Sequence, residues 1–157
     1  MGFLGIPSKK ERQFREQQIN NCLRIWTESM KIMMSTESVD TFMSRYQVAR
    51  NALYEAGNIA GENSKCLKGV SPKEALDILD RDLPQVLIPC IERYMRKQTL
   101  KISGLSRGRL AKAQGLYLLV DSYDEMPKEC ADHWNRLIDK LVKKIERLEN
   151  MEKIEKH

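Results

Sequence analysis

Residues 38–57 read SVDTFMSRYQVARNALYEAG, and apolar side chains recur in this stretch every three or four positions. The recurring residues are Val39, Phe42, Tyr46, Ala49, Leu53 and Ala56. Because an α-helix turns once every 3.6 residues or so, this spacing puts all of them on one side of a helix. The stretch predicts an amphipathic helix that starts after a cap within residues 35–38 and ends at Gly57.

A second long helix is expected before this one. Ser8-Lys9-Lys10-Glu11 has the spacing in which a serine hydroxyl and a glutamate carboxylate together cap a helix start. The helix that follows carries one apolar stripe, made of Ile19, Cys22, Leu23, Trp26, Met30 and Met33. Residues 1–7, MGFLGIP, form a short apolar N-terminal segment that is too short for the core of a signal peptide.

On the C-terminal side, residues 57–70 are expected to form the one long connection, since three glycines interrupt them. Ser71-Pro72-Lys73-Glu74 predicts the next helix start, because proline fits the first helical position. Pro84 and Pro89 then either divide this region into two helices or kink it, since proline has no amide to donate. The helical region is expected to run to about Ile102.

Two further helices are predicted beyond the glycines at positions 104 and 108. The first carries apolar residues at Leu110, Ala113, Leu116, Tyr117 and Val120. Pro127-Lys128-Glu129 opens the last helix, whose apolar stripe is Cys130, Trp134, Leu137, Leu141, Ile145 and Leu148. Four acid-base pairs stand four residues apart with the acid first, which is the favourable order in a helix: Asp132 and Arg136, Asp139 and Lys143, Glu149 and Lys153, Glu152 and Lys156. Residues 149–157 are therefore expected to stay helical, either extending into solvent or pairing with another chain.

Composition fits these patterns and narrows the class of protein. The chain has 157 residues, of which 41% are apolar and 31% charged, so one globular domain over residues 1–157 is expected. We predict an all-α, single-domain bundle of five to six helices with a long C-terminal helix. No stretch approaches the 18 or so apolar residues of a membrane span, so no membrane partner is expected. The four cysteines lack the paired spacing of a zinc site or a disulfide framework, which predicts free thiols, a cytoplasmic location, no metal and no cofactor.

Positive charge is concentrated between Glu92 and Lys112. This segment has seven basic residues against Glu92 alone, a net charge of +6, whereas the whole chain carries +5 and its remainder therefore −1. The seven are Arg93, Arg96, Lys97, Lys101, Arg107, Arg109 and Lys112. Helix ends and arginine forks both favour anions, so the segment is a candidate site for phosphate, for carboxylate or for an acidic partner. A solvated helix face and loop is the alternative interpretation.

Two weaker arrangements are candidates for catalysis or metal binding. Asp77, Asp80 and Asp82 could hold a divalent cation, although a solvated acidic face explains them as well. Cys130 and His133 stand three apart, as a nucleophile and its base could, but Cys130 also belongs to the apolar stripe. The sequence contains none of the common nucleotide-binding, zinc-protease or serine-hydrolase motifs. The chain is therefore predicted not to be an enzyme.

The helix start at residues 38–46, SVDTFMSRY, resembles a segment of uncharacterised helical proteins of Firmicutes and their phages or mobile elements. In those proteins a helix ends in a Ser- and Glu-containing link, and the next helix begins with Thr-Phe followed closely by Arg-Tyr. The similarity covers residues 19–56, about a quarter of the chain. It implies an all-helical fold and such an origin, and it implies no reaction.

These observations lead to two functional hypotheses. The first is a non-enzymatic protein-binding or adaptor protein, encoded by a phage or mobile element, whose basic helix-turn surface contacts an acidic partner and which self-associates through an exposed stripe. The alternative is a nucleic-acid-binding protein that contacts phosphates through residues 93–112. Tyr94 is the only aromatic residue of that segment, so base stacking is not expected to contribute.

Overall fold

The computed structural model describes residues 8–155 and shows the expected all-α class. Five helices lie within this range, and the helices are α1 (Lys9–Ser35), α2 (Val39–Ala60), α3 (Pro72–Ser103), α4 (Arg109–Val120) and α5 (Lys128–Glu155). The range contains no strand, and the C-terminal helix is long, as predicted. None of its helices has the length and the apolar character that crossing a bilayer demands. The apolar segment 1–7 and the last two residues of the expected helix end lie outside the described residues.

Serine hydroxyls cap the starts of α1 and α3. The Ser8 hydroxyl accepts a hydrogen bond from the Glu11 amide at 3.2 Å, at the start of α1. The Ser71 hydroxyl accepts one from the Glu74 amide at 3.1 Å, and Pro72 is the first residue of α3. Each bond satisfies an amide that has no partner inside its own helix.

The end of α2 differs from the prediction. Gly57 lies inside the helix, which continues to Ala60, and the backbone turns left-handed at Gly61 with φ +96°. Glycine costs a helix interior only about 1 kcal/mol relative to alanine, so Gly57 does not stop α2, whereas a left-handed residue does. The connection therefore spans residues 61–71, and within it Lys68 and Gly69, both with positive φ, form a tight turn between Leu67 and Val70.

The prolines do not divide the third helix. Pro84 and Pro89 both lie inside α3, which is continuous over 32 residues, so the described chain has five helices and not six. A proline inside a helix costs about 3 kcal/mol, because it removes a hydrogen bond and crowds the preceding turn. Leu83, Leu87 and Cys90 are buried next to the two prolines. Their burial offsets the cost and keeps the helix intact.

Residue contacts group the described chain into two compact units. The first unit comprises residues 8–35 and 40–83, and the second unit comprises residues 36–39 and 84–155. The expectation of a single domain over residues 1–157 stays a prediction.

The first unit has an apolar core built mainly on α2. Phe42, Ala49, Leu53 and Ala56 are completely buried, which confirms the stripe predicted from their spacing. The other buried apolar residues of this unit are Cys22, Met33, Tyr46, Ala52, Leu67, Ala75, Leu79 and Leu83. At its edge Tyr46 donates a hydrogen bond of 2.6 Å to Asp80, and burial together with that bond raises the pKa of Tyr46 to about 12.

The second unit is organised around Trp134. Its indole ring is completely buried, with ring centroids 5.5 Å from Tyr94 and 6.3 Å from Tyr123. The predicted stripe of α5 needs one correction, since Ile138 is fully buried while Leu137 and Leu148 are half-buried. The buried positions of α5 are Cys130, Trp134, Ile138, Leu141 and Ile145. Both this set and the predicted one have steps of three and four, so spacing alone does not choose between Leu137 and Ile138.

Candidate partner-binding surface

The basic segment occupies the end of α3, the loop 104–108 and the first turn of α4. Four of its seven cations are exposed and have no ion-pair or hydrogen-bond partner within residues 8–155; they are Arg96, Lys101, Arg107 and Lys112. We call these four residues the exposed cations. Their charges face solvent, so they are available to an anion or to an acidic partner.

Two of the predicted site residues have partners inside the second unit. The Arg93 Nε atom donates a hydrogen bond of 3.0 Å to the carbonyl oxygen of Thr36. The Lys97 Nζ atom lies 3.6 Å from a carboxylate oxygen of Glu37. Both side chains therefore hold the link that precedes α2, a contact over almost sixty positions that local sequence patterns do not reveal. Both have a structural role that competes with binding a partner.

Arg109 lies where the sequence analysis did not expect it. The residue is buried, and its Nη2 atom lies 2.8 Å from each carboxylate oxygen of Glu152. Gly108 starts α4 in the left-handed conformation, with φ 74°, and provides no side-chain cap. The anion that Arg109 binds is thus part of the same chain. Glu152 is correspondingly engaged by Arg109, whereas its expected partner Lys156 lies outside the described residues.

The α4–α5 contacts also give Asp139 a different partner from the one predicted. Tyr117 on α4 donates a hydrogen bond to Asp139 on α5, and this bond raises the pKa of Tyr117 to about 12. Arg109 at the start of α4 reaches Glu152 near the end of α5, while Tyr117 further along α4 reaches Asp139 nearer the start of α5. The two helices therefore run antiparallel.

A groove that the sequence does not predict lies beside the basic segment. It lies between α3 and α5 and has a volume of about 620 Å³. Its apolar wall comprises Met95, Leu100, Leu137 and Leu141, together with the methyl-bearing Thr99. Its charged rim comprises Glu92, Arg96, Lys140 and Lys144. We call this feature the α3–α5 groove.

The charge of the groove rim is mainly positive. Glu92 is paired with His133, whose Nε2 atom lies 3.2 Å from its carboxylate. Arg96, Lys140 and Lys144 have no such partner among residues 8–155. The signal for the α5 side was present in the sequence, because Leu137 and Leu141, and likewise Lys140 and Lys144, stand four apart and so share adjacent faces of one helix.

The structure does not bring Cys130 and His133 together as a catalytic pair. Cys130 is completely buried, and burial raises the pKa of its thiol to about 11. His133 contacts Glu92 and lies 3.5 Å from an Arg136 nitrogen. A thiol with so high a pKa is almost entirely protonated at neutral pH and is a poor nucleophile. Core packing explains Cys130, and a surface hydrogen bond to Glu92 explains His133.

The thiols provide a first testable prediction. Cys22, Cys90 and Cys130 are buried and their pKa values are raised by desolvation, whereas Cys66 is half-exposed. We expect an aromatic disulfide reagent at pH 8 to modify one thiol quickly in the folded protein, and the other three only as slowly as the protein opens. The measurement is reagent absorbance over time, with peptide mapping of the modified residue. All four should react at once in guanidinium, and fast native modification of Cys130 would contradict the assignment.

The acidic cluster of α3 is likewise accounted for within the chain. Asp80 accepts hydrogen bonds from Tyr46 and Arg50, and the Arg50 guanidinium lies between the rings of Tyr46 and Tyr54. Asp82 lies 3.1 Å from Arg81. Asp77 is exposed. No group of three or more side chains within residues 8–155 is arranged to hold a metal ion.

The site residues thus fall into two groups. Arg93, Lys97 and Arg109 bind groups of the same chain, while the exposed cations and the α3–α5 groove remain open on the second unit. The resemblance of residues 19–56 to helical proteins of Firmicutes and their phages stays a prediction. No protein-family model, curated protein or solved structure matches this chain.

Proposed function

We propose that this chain is a non-enzymatic binding protein that holds another protein through the basic surface of its second unit. The partner presents an acidic surface to the exposed cations, Arg96, Lys101, Arg107 and Lys112. We propose a cytoplasmic location as well, which the four free cysteines support.

One observation carries the proposal: these four cations have no partner among residues 8–155, whereas the other three basic residues of the segment do. Uncompensated charge of one sign steers an oppositely charged protein toward the surface and favours it over other partners. The arrangement uses no reactive group. Cys130 is buried and Asp80 forms an ion pair with Arg50. The proposed role uses neither side chain.

The experiment compares two variants of the full chain with equal changes in charge. The first carries Lys101→Glu, Arg107→Glu and Lys112→Glu, and it leaves Arg109 intact because that residue is buried. The control carries Arg15→Glu, Lys31→Glu and Lys73→Glu, three exposed residues of the first unit. Each tagged protein is cross-linked in its native cells, captured after nuclease treatment and analysed by quantitative mass spectrometry.

We expect a nuclease-resistant partner that falls at least tenfold with the first variant and is kept by the control. Equal recovery with both variants would contradict the proposal. Recovery that disappears with nuclease would favour the alternative, a protein that contacts nucleic-acid phosphates through residues 93–112. That alternative is tested directly by fluorescence anisotropy with labelled duplex and single-stranded DNA at about 50 mM salt, where phosphate contacts are strong.

A further inference from the structure

We infer that the α3–α5 groove is a docking site for an acidic amphipathic helix of the partner protein. This inference rests on the proposed function and adds which element of the partner is bound and where. The groove lies in the second unit, next to the exposed cations, and shares Arg96 with them.

The wall of the groove supplies an apolar contact surface. Met95 and Leu141 are buried and form its floor, while Leu100 at its edge is 78% exposed. Leu100 and the half-buried Leu137 thus expose apolar surface that water covers in the free protein and that a partner's apolar side chains would cover on binding. Covering it removes apolar surface from water, which is the main favourable contribution in such docking.

The shape of the groove fits a helix better than a small molecule. Pockets for small ligands enclose most of the ligand surface, whereas Leu100, Arg96, Lys140 and Lys144 line this groove and are all exposed to solvent. Residues 92–100 of α3 advance about 12 Å and residues 137–144 of α5 about 10 Å, and each length equals roughly two turns of a third helix. Two turns present three apolar anchors, at positions i, i+3 or i+4, and i+7.

An extended peptide is a poorer fit to this fold. Such a peptide is bound by adding a strand to a sheet edge, and residues 8–155 contain no strand that could provide one. Two neighbouring helices instead present a furrow between their side-chain ridges, into which the ridges of a third helix can pack. The groove therefore favours a helical partner segment.

The charged residues of the groove rim favour an acidic partner helix. Arg96 lies on the α3 side, and Lys140 and Lys144 lie one turn apart on the α5 side. Glu92, the one acidic rim residue, is hydrogen-bonded to His133, and the three cations outnumber it. A partner helix with carboxylates on both flanks of its apolar stripe would contact Arg96, Lys140 and Lys144. These three cations would repel a basic amphipathic helix. The occupant is thus an acidic helix with a narrow leucine-rich stripe.

The test uses a synthetic peptide of 18 residues, labelled with fluorescein, with leucines at positions 4, 8, 11 and 15 and glutamates at the positions that flank them. The control peptide has the same composition with its leucines spread around the helix. Binding to the full chain is followed by fluorescence anisotropy. We expect saturable binding of the first peptide and at least tenfold weaker binding of the control.

Two variants locate the site, and each has a matched control on the same helix or the same kind of surface. Lys140→Glu with Lys144→Glu is compared with Lys143→Glu and Lys153→Glu, which are exposed on α5 outside the groove. Leu100→Asp is compared with Leu118→Asp, a leucine of α4 that is 73% exposed. We expect the groove variants to weaken peptide binding at least tenfold and the control variants less than twofold, with unchanged circular dichroism for all four.

Other occupants would overturn the inference. Binding to phosphatidylglycerol vesicles that is lost with Leu100→Asp would identify a lipid surface, and self-association lost with that variant in sedimentation would identify a second copy of the chain. Equal binding of both peptides would also overturn it. The groove inference can fail without the proposed function. If the captured partner depends on Lys101, Arg107 and Lys112 but is not displaced by the peptide, the groove inference is wrong and the proposed function stands.

Discussion

Replacing Trp134 by alanine is expected to lower the free energy of unfolding by about 3–5 kcal/mol, the usual cost of removing a large buried aromatic side chain. Trp134 is completely buried and touches both Tyr94 and Tyr123, so the substitution leaves a cavity lined by two rings. The rest of the core is held by regular helices, which limits how far it can collapse into the space.

One feature of Trp134 lowers the stability of the folded protein. Its indole Nε1 atom is buried and has no hydrogen-bond partner among the described residues. A buried donor without a partner costs about 1–3 kcal/mol, and that cost disappears when the indole is removed. The variant Trp134→Phe therefore loses part of the packing but also this penalty, and we expect it to destabilise by less than about 1.5 kcal/mol.

The measurement is urea unfolding followed by far-ultraviolet circular dichroism for Trp134→Ala, Trp134→Phe and Leu118→Ala. Leu118 is exposed on α4, and its truncation should change stability by less than about 0.5 kcal/mol. If the alanine variant does not fold, the phenylalanine variant still carries the comparison. Equal stabilities of Trp134→Phe and Trp134→Ala would contradict the assignment of the ring as the centre of the core.

The second large effect is expected at the buried guanidinium of Arg109. Changing Glu152 to glutamine removes the charge that this cation faces, since both carboxylate oxygens of Glu152 lie 2.8 Å from the Arg109 Nη2 atom. Breaking a fully buried pair costs about 3–5 kcal/mol, because an uncompensated charge is left behind. Glu152 is itself half-exposed, so water screens part of this interaction. We therefore expect a loss of about 1–2 kcal/mol, which is below the range for a fully buried pair.

The control for this prediction is Glu149→Gln, one turn earlier in α5. Glu149 takes part in no ion pair within residues 8–155, so its neutralisation should change stability by less than about 0.5 kcal/mol. A double-mutant cycle with Arg109→Met, measured by thermal and urea unfolding, isolates the pair. A coupling free energy near zero would show that Glu152 and Arg109 act independently.

Much of the fold could be predicted from spacing alone. Phe42 and Leu53 are buried as their period requires, and Ser8 and Ser71 cap their helices because local hydrogen bonds depend on residues three apart. Gly57 was mistaken for a helix end, because a glycine that stops a helix and one that is tolerated inside it look alike without the backbone angle. The continuity of α3 through Pro84 cannot be predicted from the sequence for a similar reason. It depends on the burial of the residues next to the proline, which the local sequence does not show.

The candidate site was predicted less completely, and long-range contacts explain the difference. The burial of Arg109 depends on Glu152, which is 43 positions away, and the engagement of Arg93 depends on Thr36, 57 positions away. Local charge counts treat all seven basic residues alike and cannot separate these two from the exposed cations. Lys140 and Lys144 were overlooked because they belong to a helix whose overall charge is balanced.

Because of Pro84 and Pro89, the helical structure of α3 depends more on tertiary packing than that of α5 does. Each proline removes an amide that would donate to the carbonyl four residues earlier, so the hydrogen-bond ladder of α3 has two gaps. The 28 residues of α5 contain neither proline nor glycine. A growing helix in water gains one backbone hydrogen bond for each residue that becomes helical. A residue that cannot donate this bond therefore interrupts the growth. A newly made chain can therefore begin α5 from local signals, whereas α3 becomes helical along its whole length only as Leu83, Leu87 and Cys90 leave water.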